Sequence, residues 1–182
     1  MLPPSSPAVL LVDGYNIIGI WPSLTKTRDR DGMEAARRDL TEILINYSAY
    51  QAYDTRLVFD AHSRDTPSSR EEISRYLSVH YTDFGQTADT YIEKTCAVSR
   101  TELRYSKQRL IVATSDRAQQ LTVVGYGAEW LSAHQLFYEV EAIAHKVHRK
   151  QRSQKKTSSR FLASSLDPRA QERLARLRMG LP

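Results

Sequence analysis

Leu10-Leu11-Val12-Asp13-Gly14-Tyr15-Asn16 is the stretch from which the fold of this chain is read. The run Ala8–Asp13 is aliphatic up to its closing acid, the pattern of a strand covered on both faces. Asp13-Gly14 turns the chain after it, where glycine tolerates strained backbone angles. Similar wording returns in Leu57-Val58-Phe59-Asp60-Ala61-His62, in Thr87-Ala88-Asp89 and in Ala113-Thr114-Ser115-Asp116. A parallel α/β sheet gathers the carboxyl ends of its strands along one edge, and ligands bind there where the strand order reverses. Asp13, Asp60, Asp89 and Asp116 are therefore candidates for one pocket. Carboxylates so gathered repel one another unless a cation or bound protons neutralise them. A hard divalent ion, Mg²⁺ or Mn²⁺, is the expected neutraliser because it prefers oxygen ligands.

Working outward, strands and helices alternate. Apolar residues at helical spacing (Ala36, Leu40, Ile43, Leu44, Tyr47) predict a helix from Gly32 to about Tyr50. Asp54 and Thr55 are read as its breakers, and Arg56–Asp60 as the second strand. Ser63–Ser69 is expected to be a loop, and Leu77–Tyr81 a third strand with one less buried face. Thr87 caps the next helix, with Ile92, Cys96 and Leu103 on its inner stripe. Arg109–Ala113 is the fourth strand, Arg117 to about Val124 a short helix, and Ala128–Leu131 a brief fifth strand. Ser132 and Gln135 resemble a capping box opening a long helix that bears Leu136, Val140, Ile143 and Val147. The expectation is a three-layer α/β/α domain with a mainly parallel, five-stranded sheet. It spans residues 8–150, between a flexible segment 1–7 and a basic extension 151–182 that ends in a short helix over Asp167–Met179.

Composition narrows the function classes. The 182 residues suffice for one well-cored domain. Mean hydropathy is −0.51, and no apolar run approaches the ~20 residues of a bilayer crossing, so no membrane partner is expected. Residues 1–7 lack the basic and apolar regions of a secretory signal. The single cysteine, Cys96, rules out an internal disulfide and a cysteine-based zinc site, and reads as a small core residue. A cytoplasmic compartment is expected, a bacterial cytosol or an organelle stroma. Net charge is +5, yet residues 146–182 hold eleven Lys and Arg against two acids, a balance of +9. The remaining 145 residues stand at −4. A basic tail on an acidic body points to nucleic acid or another anionic surface. The ordinary alternative is a solvated terminal helix and its extension.

Each candidate also has an ordinary reading. Asp13 and Asn16 are common turn formers, although Asn16 is placed to orient a water or contact a phosphate. Asp89 and Asp116, behind Thr87 and Ser115 as caps, suit the first turn of a helix through its dipole alone. With Asp13 they form a hard-cation site, and Thr87 and Ser115 then steady the ligands. Asp60 holds a water or pairs with His62 or Arg64 equally well. His62, Arg64, Lys94 and Arg117 offset phosphate charge or are plain surface charges. Tyr15, Trp21 and Tyr126 are candidate base stackers, Tyr15 first, with core packing the alternative. Walker A, Gly-x-Gly-x-x-Gly and Gly-x-Ser-x-Gly sequences are absent, which leaves metal-assisted hydrolysis of a phosphodiester.

Leu11–Gly19 resembles the signature of NYN domains, a branch of the PIN-like nucleases. With Phe59-Asp60-Ala61-His62, Thr87-Ala88-Asp89 followed by Ile92-Glu93-Lys94, Ala113–Asp116 and Gly125–Gly127, it is similar to the YacP-like family of bacteria and plastids. The resemblance covers about residues 8–150. It implies a PIN-like sandwich, Mg²⁺-dependent or Mn²⁺-dependent RNA cleavage, and recruitment to translating ribosomes with mRNA as substrate. It places Asp13, Asp60, Asp89 and Asp116 around the metal, with Asn16 beside them. Relatives often carry an acid where this chain has Gln86. That amide keeps open a second reading, an RNA-binding or ribosome-binding module that cuts little. A small-substrate phosphatase is a third reading, disfavoured by the basic tail. Oligomeric state is not legible.

Overall fold

β1 (Ala8–Asp13) lies in the middle of the sheet in the computed structural model, which describes residues 8–60, 68–103 and 108–164. It pairs in parallel with β2 (Asp54–Phe59) on one side and with β5 (Arg109–Ala113) on the other. Beyond β2 come the parallel β4 (Leu77–Tyr81) and the antiparallel β3 (Ser69–Ser74). Beyond β5 comes the parallel β6 (Glu129–Leu131). The order β3-β4-β2-β1-β5-β6 reverses at β1, so β1 and β5 flank the switch point.

Helices cover both faces, because each strand presents successive side chains to opposite sides. Leu11, Val58 and Val112 pack against Ala88, Ile92 and Cys96 of α4 (Ala88–Leu103) and Val123 of α5 (Arg117–Gly125). The other layer holds α1 (Gly14–Ile20), α2 (Pro22–Asp31), α3 (Met33–Gln51) and the start of α6 (Ala133–Ser164). Tyr47 of α3 donates to Glu139 Oε2 at 2.7 Å, and Trp21 Nε1 to the Ala133 carbonyl at 2.8 Å. Cys96 is buried, and burial pushes its thiol up to about 11, as suits a core residue.

The expected α/β/α architecture is present with a sixth strand. β3 is the polar edge segment SREEIS, which has no buried apolar face to betray it. α1 and α2 fill the stretch that precedes the expected helix. α2 buries only Leu24, so its apolar period is too weak to read. Asp54 and Thr55 belong to β2 rather than breaking α3, which instead ends at Ala52 in a left-handed conformation (φ 54°). α6 runs to Ser164, past the domain boundary expected at residue 150, in a stretch with no Gly or Pro and many good helix formers.

The chain divides into two compact units, residues 1–143 and 144–182. The expected flexible segment 1–7, most of the Ser63–Ser69 loop and the expected final helix lie outside the described residues. Among the described residues no helix is long and apolar enough to cross a membrane.

Candidate functional site

The switch point brings the acids together. Asp13 closes β1, and its register partner on β2 is Val58, two residues before Asp60. On the other side Val12 pairs with Ala113, three residues before Asp116. Asp89, in the first turn of α4, takes a hydrogen bond from Gln119 Nε2 of α5 at 2.5 Å. The backbone N–H of that glutamine donates to Asp116 Oδ1 at 3.0 Å, so one residue links two of the acids.

Three of these carboxylates also organise helix starts. Asp13 caps α1 by accepting from the Asn16 N–H at 3.1 Å. Asp60 accepts from the Ala88 N–H at the first residue of α4. Asp116 caps α5, accepting from the N–H groups of Ala118 and Gln119. The cap of α5 is thus Asp116 itself and not Ser115, as the sequence led us to expect. Ser115 Oγ accepts instead from the Ala133 N–H at 3.0 Å, at the start of α6. Thr87 does take the expected place before α4, accepting from the Thr90 N–H at 3.2 Å. The amino ends of three helices therefore face one edge, an arrangement that favours negative charge.

That dipolar support leaves the repulsion unbalanced. Asp13 is only 8% exposed, and burial pushes its pKa up to about 6 despite its cap bond. The charges of Asp89, Asp60 and Asp116 act in the same direction. Burial likewise raises Asp89, helped by Asp116, Asp60 and Glu93. Asp13 thus feels the other three acids, and Asp89 feels Asp60 and Asp116. As the side chains stand, no three acidic, His or Cys groups among the described residues are close enough to share an ion directly. The donor set is all oxygen and several-fold negative, which fits a cation that retains waters between itself and its ligands.

Neighbouring residues fix this edge. A Cβ on Gly14 would run into the Phe59 ring, so glycine lets the turn close over that ring. Asn16 Oδ1 accepts from the Ser115 N–H at 2.8 Å and stitches the β1 turn to the β5 turn. Its oxygen is thereby committed to the protein, leaving the amide NH₂ as the group for a water or phosphate. Tyr15 is half-buried, with its ring centroid 5.1 Å from that of Phe59. Its hydroxyl accepts from Arg37 Nη1 at 3.0 Å, and the Arg37 guanidinium lies over Phe59 at 5.9 Å.

Trp21 is a core residue, buried and set edge-on to Phe137, so it does not serve as a base stacker. Tyr126 is partly buried against the core beside α5. Arg117 is exposed next to Asp116. Lys94 lines a cleft of about 480 Å³ along α4 with Arg56, Gln86 and Arg109, away from the four acids. His62 and Arg64 lie outside the described residues. Sequence reasoning missed Gln119 and Arg37. Neither has a local signature, since each reaches the edge through helix packing.

Comparison with known proteins agrees with this architecture. The family model of the YacP-like NYN domain matches residues 10–179. The chain belongs to the YacP-like NYN domain family. YacP of Bacillus subtilis (strain 168) is 36% identical over 144 residues, covering 79% of this chain and 81% of that protein. Two crystal structures of Rae1 (YacP) from Bacillus subtilis are similar. One has a TM-score of 0.67 at 31% identity, covering 94% of this chain and 95% of that one. The other, of a mutant carrying a single substitution, gives 0.65 at 32% identity, covering 92% and 98%. The YacP-like match runs beyond residue 150 and takes in most of the basic tail, which the motifs alone did not reach.

Proposed function

We propose that this YacP-like protein is an Mg²⁺- or Mn²⁺-dependent endoribonuclease that cuts single-stranded mRNA, with translating ribosomes as its site of work in a cytosolic compartment. The observation that carries this reading is the meeting of Asp13, Asp60, Asp89 and Asp116 at the strand-order reversal, with mutual repulsion and three helix starts behind them. Family membership is consistent with a nuclease.

Asp13 is the fixed member of the set, pinned between β1 and α1 and nearly excluded from solvent. Asp89 and Asp116 are exposed and reach inward from neighbouring helices, with Gln119 holding their spacing. Asp60, the residue after β2, is the proposed fourth member. Asp13, Asp60, Asp89 and Asp116 would hold a divalent cation through intervening waters, and when bound it would offset phosphate charge and lower the pKa of a water. Thr87 and Ser115 steady the turns that carry Asp89 and Asp116. Arg37 and Arg117 are the candidate phosphate contacts, with His62 and Arg64 proposed from the sequence alone; Lys94, in the cleft along α4, would meet only a longer strand, and Tyr15 is a candidate base contact. The net +9 of residues 146–182 is the proposed grip on ribosomal RNA, an interaction that weakens as salt rises.

The test is a labelled single-stranded RNA incubated with Mn²⁺ or with EDTA, for the parent chain and for Asp13→Asn. Products are expected with Mn²⁺ alone, and a loss of roughly 100-fold or more in the variant. Cleavage that persists in Asp13→Asn would overturn the assignment. One observation favours a second reading, an RNA-binding module that cuts weakly. The acids are already engaged with N–H groups, and no three among the described residues share an ion position as they stand. Metal-free binding to RNA or ribosomes without any products is the result that would select it.

A further inference from the structure

Phe84 is 80% exposed, the most exposed large apolar side chain among the described residues. A lone exposed apolar residue needs no explanation. This one differs because the turn that bears it is tightly organised. Between β4 and α4, the Thr82 N–H donates to the Phe59 carbonyl at 3.0 Å and the Gln86 N–H to the Asp83 carbonyl at 2.9 Å. Thr82 Oγ1 donates to the Gln86 carbonyl at 2.6 Å, and Asp83 Oδ1 accepts from the Ser68 N–H at 2.8 Å. Gly85 adopts φ +77°, a conformation closed to most side chains, and so permits the tight reversal. The backbone is thus spent on holding a phenyl ring in water.

The turn also stands beside the acidic edge. Its first residue hydrogen-bonds to the backbone of Phe59, adjacent to Asp60, and it leads within a few residues to Ala88, whose N–H is held by Asp60. An RNA strand approaching that edge meets carboxylates that repel its phosphates. A contact that carries no charge is not weakened by that repulsion and adds to whatever the cationic groups supply. A nucleobase offers flat apolar faces, exposed only when the strand is unpaired, and an uncharged aromatic ring matches them without regard to sequence. We propose that Phe84 is a base-stacking subsite for the single-stranded nucleic acid that enters the acidic site. The inference rests on the nuclease reading for its substrate class.

The experiment separates the two. In an Asp13→Asn background, Phe84→Trp places a fluorescent indole at the turn, with Asp13→Asn alone correcting for Trp21 and Trp130. Titration with a roughly ten-nucleotide single-stranded RNA should quench the added signal, and the same sequence as a duplex should not. In the cleaving chain, Phe84→Ala should raise KM for that RNA about tenfold with kcat changed far less, and Phe84→Trp should restore it. Equal quenching by strand and duplex would overturn the inference, as would none with either. An unchanged KM in Phe84→Ala would overturn it too, while metal-dependent cleavage by the same chain keeps the nuclease reading intact. If the parent does not cleave, the nuclease reading fails, and the quenching titration still decides whether Phe84 stacks on unpaired bases. Quenching by ribosomal protein but not by RNA would replace the base with a protein partner.

Discussion

The two ends of the sheet treat charge in opposite ways. At the amino ends of the strands, Arg109 grips Glu129 through two hydrogen bonds of 2.7 and 2.6 Å, and Arg56 pairs with Asp54 at 2.9 Å. Each acid there meets a cation from its own strand or the next. At the carboxyl ends, Asp13, Asp89 and Asp116 meet backbone N–H groups and an amide, and among the described residues none forms an ion pair. Like charges converge on one edge while the opposite edge is neutralised pair by pair. A fold selected for stability alone would balance both. The imbalance is one that the cation proposed above would relieve.

The sharpest way to break this contrast is to remove the repulsion. A carboxyl whose folded pKa stands near 6 rather than 3.8 holds its proton more tightly in the folded chain. Stability is then lost as pH rises from about 4 to about 6, and the penalty is complete above that. In EDTA at pH 7, Asp13→Asn keeps the α1 cap and is expected to raise unfolding free energy by up to about 3 kcal/mol. Urea melts at pH 7 and pH 4 should show the gain at the first and little at the second. No gain at pH 7 would mean that the acids do not burden the fold. Mn²⁺ should stabilise the parent, by about 2.7 kcal/mol at a hundred times its Kd, and leave Asp13→Asn nearly unmoved.

His80 of β4 sharpens the contrast from the opposite sign. Burial, with Arg70 and Arg56 nearby, lowers its pKa to about 4 against the smaller pull of Glu72 and Asp54. Ser78 and Tyr91 each hold one ring nitrogen at 2.9 Å. Between pH 6.5 and 4 the unfolded chain takes up a proton that the folded chain refuses. Stability should fall with acid across that window by about 2 to 3 kcal/mol, and His80→Gln should flatten the slope. A slope unchanged in His80→Gln would assign acid sensitivity elsewhere.

Packing at the acidic edge predicts a comparable or smaller cost. Gly14→Ala drives a methyl into the Phe59 ring and should destabilise by about 1 to 3 kcal/mol, with partial recovery in Gly14→Ala/Phe59→Leu. Equal stability of Gly14→Ala and parent in urea would show that the turn yields easily. The smallest effect belongs to the neutral edge. Arg109→Ala breaks an exposed pair and should cost under about 1 kcal/mol while leaving RNA cleavage intact. A large loss of cleavage there would extend the functional surface to the wrong end of the sheet.

Much of the fold was legible because it is written in short-range pattern. β1 and β5 are largely apolar runs and β2 ends in one, leaving little alternative to buried strands, and α3 and α4 show their inner stripes openly. β4 alternates Leu77, Val79 and Tyr81 with Ser78 and His80, yet it is buried on both faces, not on one as expected. Where pattern fades, reading failed. β3 is an edge strand of charged residues, α2 buries one leucine, and α6 continues through a basic stretch whose helical propensity carries no apolar marker. By residue type Ser115 is as good a cap as Asp116, so the sequence alone places Asp116 in the first turn. Only the position of the Ala133 N–H shows that Ser115 serves another helix.

The sequence by itself determined that acids close the central strands and that a basic segment follows an acidic body, since residue identity and local periodicity carry both. Tertiary structure alone decided that those acids share one edge of the sheet, that Gln119 spans two of them, and that Trp21 is core while Phe84 stands in water. The reason is physical. Strand order and helix packing set which distant segments share an edge, and the pKa of a carboxyl depends on what surrounds it in space rather than on its neighbours along the chain.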